Sequence, residues 1–140
     1  MPIYTGVLTV PSGTTLGNPA TATIEIEEHT IIRFDVFFPP GCCCSVHVVA
    51  RYGSEQVAPK PEGATLRGDG ETISWPEEWR APEKPCTIRF EAWSPTANYD
   101  HTILLRVITR PEAQEKAIKE ERGAFKALKT FLERVIGVRR

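Results

Sequence analysis

Thr21-Ala22-Thr23-Ile24-Glu25-Ile26-Glu27, followed after a short break by Ile31-Ile32-Arg33-Phe34-Asp35-Val36-Phe37-Phe38, decides the fold. Apolar and polar residues alternate with period two in both stretches, the pattern of a strand with one face in a core and one in solvent. Ala22, Ile24 and Ile26 point one way and Thr21, Thr23, Glu25 and Glu27 the other. In the second stretch Ile32, Phe34, Val36 and Phe38 share a face, opposite Arg33 and Asp35. Glu28-His29 between them reads as a hairpin turn.

The same alternation recurs on both sides. Tyr4–Val10 is an earlier strand. Pro39-Pro40-Gly41 removes two backbone donors and permits a reversal. Cys43–Tyr52 then alternates again, with Cys44, Val46, Val48, Ala50 and Tyr52 on one side. Residues 54–70, rich in proline and glycine, form a long connection with short edge pieces at Gln56–Ala58 and Ala64–Leu66. Asp69-Gly70 is a turn into Glu71–Trp75, and Pro76–Trp79 is expected to make one helical turn. Cys86–Trp93 directs Cys86, Ile88, Phe90 and Ala92 inward, and Thr102–Thr109 directs Ile103, Leu105 and Val107 inward. About seven short strands separated by turns predict an all-β domain, an antiparallel two-sheet β-sandwich of immunoglobulin-like or jelly-roll-like type, with a barrel as its rival.

Beyond residue 110 the chain changes character. All 12 prolines lie in residues 1–111, and residues 112–136 hold a single glycine, Gly123. Residues 1–110 carry 9 basic and 13 acidic side chains, whereas 111–140 carry 8 basic and 5 acidic, so a net −4 body precedes a net +3 tail. The expected organisation is a sandwich domain, 1–110, and a C-terminal amphipathic α-helix with a basic tail, 111–140. Thr109-Arg110-Pro111-Glu112 fits a capping box at the helix start, and Gly137 is a natural stop. On a helical wheel Ile118, Phe125, Leu128, Phe131, Leu132, Val135 and Ile136 form an apolar arc interrupted by Glu121, opposite Lys119, Arg122, Lys126 and Glu133. Such a stripe must be buried, either on its own domain or against a partner. A sandwich already covers its inner faces, so Ile118, Phe125, Leu128, Phe131, Leu132 and Val135 are the candidate interface residues, and the partner is a second copy of the chain or another protein.

Of the 140 residues, 41% are hydrophobic and 25% charged, which excludes disorder and a collagen-like repeat. A net charge of −1 argues against a duplex nucleic acid or an anionic membrane as partner. No apolar run approaches the ~20 residues of a membrane span, and Met1-Pro2-Ile3-Tyr4 is unlike a signal peptide, so the chain is expected to be soluble and unprocessed. No G-x-S-x-G, H-E-x-x-H, P-loop or G-x-G-x-x-G pattern occurs, and His29, His47 and His101 are scattered, so neither an enzyme nor a cofactor is expected.

Two other groups of residues call for a reading. Cys42, Cys43 and Cys44 are consecutive and Cys86 stands alone. Neighbouring cysteines on a strand point to opposite faces, which argues against zinc. Cys44 and Cys86 both fall on inward faces, leaving two readings: a disulfide between them, or buried free thiols acting as small hydrophobes. Trp75, Trp79 and Trp93, with Glu77, Glu78 and Glu83 nearby, would make a sugar-stacking platform if they shared an exposed face. Otherwise they are partly buried indoles beside solvated charges.

Several segments together resemble a group of small virion proteins encoded by tailed phages and viruses of thermophiles. They are Val10-Pro11 with Gly17-Asn18-Pro19, Phe38-Pro39-Pro40-Gly41, Tyr52-Gly53 with Gln56 and Pro59, Gly68-Asp69-Gly70-Glu71, and Asn98-Tyr99-Asp100-His101-Thr102. The pattern spans residues 10–110 and consists of turns and strand edges. The resemblance implies a non-enzymatic β-sandwich of decoration or capsid-accessory type, located in the virion and assembled in the host cytoplasm with copies of itself or other virion proteins. The triple cysteine and the long helix lie outside the pattern. The alternative is a carbohydrate- or cell-surface-binding module.

Overall fold

The computed structural model describes residues 2–135, and within the C-terminal helix the side chains of residue 117 and of 119–134. The strands are β1 (Ile3–Val10), β2 (Ala20–Ile26), β3 (Thr30–Phe38), β4 (His47–Tyr52), β5 (Glu55–Ala58), β6 (Glu71–Arg80), β7 (Cys86–Trp93) and β8 (His101–Thr109), followed by helix α1 (Glu112–Val135). They form two antiparallel four-stranded sheets, ordered β1-β8-β3-β6 and β2-β7-β4-β5. Every connection between successive strands crosses from one sheet to the other except the β4–β5 hairpin. This is the jelly-roll arrangement, and it resolves the choice left open with the immunoglobulin type.

The topology corrects one expectation. β2 and β3 are not a hairpin, because they belong to different sheets and β2 pairs with β7 while β3 pairs with β6 and β8. Their apolar faces line the one core from opposite sheets instead, with β2 lying against β1. Alternation reports which face is buried, and a facing strand buries it as well as a paired one.

The core lies between the inner faces. Phe34 of β3 and Phe90 of β7 meet edge to face across it, with ring centroids 6.2 Å apart at 71°. Phe38, Ile26, Ile88, Ile103 and Leu105 are fully buried around them. On β3 the register shifts between Ile31 and Arg33. This irregularity puts Ile31 in the core and leaves Ile32 half-buried, the reverse of the expected phase. All buried hydrophobic residues of the core cluster lie between Leu8 and Val107.

Residues 76–80 are strand, not the expected helical turn, because β6 runs on to Arg80. β6 is an edge strand, so Pro76, opposite Arg33 at the register shift, forgoes a backbone donor without breaking a central ladder. Among the described residues, Ile73, Trp75 and Trp79 of β6 pack against the core.

The end of β8 is tied down firmly. The Thr109 amide donates to the Pro2 carbonyl at 3.1 Å and the Arg110 amide to the Thr30 carbonyl at 3.0 Å. The Thr109 hydroxyl donates to Glu28 Oε1 at 3.3 Å, and the Tyr4 hydroxyl donates to the other oxygen of Glu28. Thr109 is therefore the last residue of β8, and the Glu112 side chain of the expected capping box lies outside the described residues. The expected stop at Gly137 lies outside the described residues.

The chain divides into two compact units, Met1–Arg110 and Pro111–Arg140. Among the described residues, the core cluster lies wholly within the first. Phe90→Ala, which deletes the ring that bridges the sheets, is expected to cost about 3–5 kcal/mol. Urea unfolding of the full chain checks this, and a loss under 1 kcal/mol would contradict the packing described.

Candidate functional site

Four apolar residues of the α1 stripe are exposed. Phe125, Leu128, Phe131 and Leu132 are between 44% and 70% exposed. They recur at spacings of three and four residues and so line one side of the helix. Ile118 and Val135, predicted for the same stripe, have side chains outside the described residues. Glu121, exposed, stands one turn before Phe125.

The three indoles are not brought together. Trp75 and Trp79 turn inward on edge strand β6 and pack against the core. The Trp75 indole donates to Glu77 Oε2 at 3.2 Å. Trp79 lies 5.3 Å from the Tyr52 ring, whose hydroxyl donates to Glu83 Oε1 at 2.6 Å. That carboxylate holds the Tyr52 phenol protonated and pushes its pKa up to about 12. Glu78 pairs with Arg110 at 3.2 Å. The expected carboxylate cluster is thus dispersed over three separate partners. Trp93 alone lies on an outer face, stacked on His47 with centroids 5.7 Å apart and planes 4° from parallel.

Of the two readings of the cysteines, the structure has free thiols, with one difference in placement. All four are free, with Cys42 and Cys86 buried and Cys43 and Cys44 exposed. Cys43 and Cys44 adopt left-handed backbone angles, φ 50° and 59°, so the chain here is a turn rather than the start of a strand. One Asp69 oxygen accepts from the amides of Gly41 at 2.9 Å and Cys43 at 3.1 Å, and the Cys44 amide donates to the Gly68 carbonyl at 3.2 Å. The turn carries Cys44 outward, away from the inward face expected for it, so Cys44 and Cys86 are separate thiols and the alternative of a disulfide between them is not realised. Burial pushes the thiols of Cys42 and Cys86 up in pKa.

Sequence reasoning missed a groove of about 610 Å³ on the outer face of the β1-β8-β3-β6 sheet. Thr5, Val7, Phe37, Thr72, Leu104 and Arg106 line it. Val7 pairs with Leu104, and Leu104 with Phe37, so three apolar side chains form a row across three strands. Val7 and Leu104 are 61% and 47% exposed. In the neighbouring row Thr5 and Asp35 flank Arg106. The Asp35 carboxylate is buried on this outer face, with Arg33 at 2.9 Å and Arg106 at 3.6 Å. Arg33 is the nearer cation, and the Arg106 side chain remains 47% exposed. The unbroken run Ile103-Leu104-Leu105 was the signal: it places an apolar residue outward on an otherwise alternating strand.

No family model matches the chain, and none of the curated proteins does. Among solved structures it is similar to a CBM4 structure, at 12% identity over 71% of this chain and 77% of that chain, with a TM-score of 0.44. A CBM29-2 mutant, a family 29 carbohydrate binding module, is 12% identical over 73% and 89% of the two chains, with a TM-score of 0.36. A chain of the tomato aspermy virus structure is 13% identical over 79% and 80%, with a TM-score of 0.38. Carbohydrate-binding modules and a viral protein thus stand side by side, and scores this low carry no functional argument.

Two predictions follow from these side chains. Cys43 and Cys44 are expected to react at once with a thiol reagent in the native protein, and Cys42 and Cys86 only on unfolding; four fast thiols would contradict the turn described. Burial first, and then Arg67, lower the pKa of His47 from 6.5. The folded state therefore binds fewer protons there than the unfolded chain, so this contribution to stability is complete above pH 6.5 and declines as the pH falls below it. Denaturation midpoints between pH 7.5 and about 5 should fall less steeply in His47→Gln than in the native chain.

Proposed function

We propose that this chain is a non-enzymatic structural protein that assembles on or within a virus particle through its sandwich and its C-terminal helix, with copies of itself, other virion proteins, or both as partners. The observation that carries the assembly is the exposed row Phe125, Leu128, Phe131 and Leu132. Contiguous apolar surface of this kind marks an interaction site. The setting, a virion assembled in the host cytoplasm, rests on the pattern of turns and strand edges over residues 10–110.

Magnitudes favour many copies over one partner. Full burial of a large apolar side chain is worth about 1.5–3 kcal/mol, and these four are already partly covered, so each has roughly half of that to gain. The sum, about 3–6 kcal/mol, is at or below the cost of about 4–15 kcal/mol for docking two free molecules. One stripe on one partner binds weakly, whereas repeated contacts in an assembly reinforce one another. The opposite net charges of residues 1–110 and 111–140, −4 and +3, favour association between copies.

The second reading, a module that binds a carbohydrate or a cell surface, retains one supporting residue, the outward-facing Trp93. Light scattering on the full chain and on residues 1–110 separates the two. We expect an oligomeric full chain and a folded monomer of 1–110. If both are monomers the assembly reading is overturned, and a glycan titration followed by Trp93 fluorescence becomes the decisive measurement.

A further inference from the structure

We infer that the groove on the outer face of the β1-β8-β3-β6 sheet is the seat for helix α1 of a second copy of this chain. The inference rests on the assembly reading above and adds the receiving surface.

The two surfaces match in pattern. The apolar row Val7, Leu104 and Phe37 spans three strands, about 10 Å at the ~4.8 Å strand spacing, which is the width of a helix with its side chains. Directly beside it, two residues along β8 and so about 7 Å away, stands Arg106. On the helix Glu121 stands four residues before Phe125, about 6 Å along the axis. A helix laid along β8 that sets Phe125 on Val7 and Leu104 therefore delivers Glu121 to Arg106. Each surface sets a charge beside apolar side chains, Glu121 on the helix and the half-exposed Arg106 in the groove, and the spacings agree to about 1 Å.

Both charges are open to a partner: Glu121 is exposed, and Arg106 shares Asp35 with the nearer Arg33. Asp35 already has Arg33 at 2.9 Å, and Arg106 stands at 3.6 Å from it with nearly half its surface in solvent. Glu121 interrupts the stripe that would otherwise be apolar throughout, and docking buries it unless a cation meets it. Arg106 supplies that cation and fixes which way along the groove the helix lies.

Because each chain offers one helix and one groove, the contact is head to tail. It closes into a ring when the rotation between copies divides a full turn, and it propagates as a filament otherwise.

Charge exchange in the full chain tests this by light scattering across a dilution series. Arg106→Glu and Glu121→Arg should each weaken self-association by about tenfold or more, and the double variant should recover most of the loss. Val7→Glu, a surface change on edge strand β1, should weaken association as well and guards against misfolding of Arg106→Glu next to Asp35. If Leu128→Asp with Leu132→Asp abolishes assembly while Val7→Glu and Arg106→Glu leave it intact, the helices meet one another and this inference is overturned, although the assembly reading stands. A double variant that recovers nothing also overturns it. A monomeric full chain ends the assembly reading itself.

Discussion

The contact of Phe34 with Phe90 is where the two sheets become one domain. Each ring comes from an interior strand of its sheet, and the edge-to-face approach fixes both the separation and the relative tilt of the two layers. The remaining inner-face residues are ordered by it. Ile26, Ile88, Ile103 and Leu105 fill the space left around the rings, and the register of the neighbouring ladders follows from keeping those side chains inside. Because six of the seven strand connections cross between the sheets, pulling the layers apart would strain almost every loop at once. The fold is held by its middle rather than by its rims.

Much of the sandwich was legible because a period of two leaves a mark in sequence. Cys86–Trp93 appears with the predicted limits, and the inward sets of β7 and β8 are as read. What was misread has local physical causes. A register irregularity at Ile31 shifts the phase by one residue, which alternation cannot announce. Glu28-His29 looked like a hairpin because adjacent alternating strands read alike whether they pair or face each other. Cys43 and Cys44 left the strand because two left-handed residues, which no apolar pattern encodes, are held by the distant Gly68-Asp69 segment, Cys43 by the Asp69 carboxylate and Cys44 by the Gly68 carbonyl.

The candidate sites divide in the same way. A helical stripe is contiguous in sequence, so Phe125, Leu128, Phe131 and Leu132 could be named in advance and are exposed. The sheet groove draws Val7, Phe37, Thr72 and Leu104 from four strands spread over most of the sandwich, and only the strand order places them side by side. Trp75, Trp79 and Trp93 show the converse. They lie within 18 positions of each other in the chain, yet the crossing between β6 and β7 puts Trp75 and Trp79 on the inner face of one sheet and Trp93 on the outer face of the other.

Pro76 bears on how such a domain avoids uncontrolled growth. An open sheet edge is a template on which a foreign strand can be laid, and two-layer folds have four such edges. On β6 the missing amide of Pro76 breaks the row of donors midway along the longest strand of the fold, so an approaching strand finds no continuous ladder there. Accretion by strand addition is thereby discouraged along that border, and neighbours are directed toward surfaces where side-chain shape and charge, not generic backbone bonding, decide who fits.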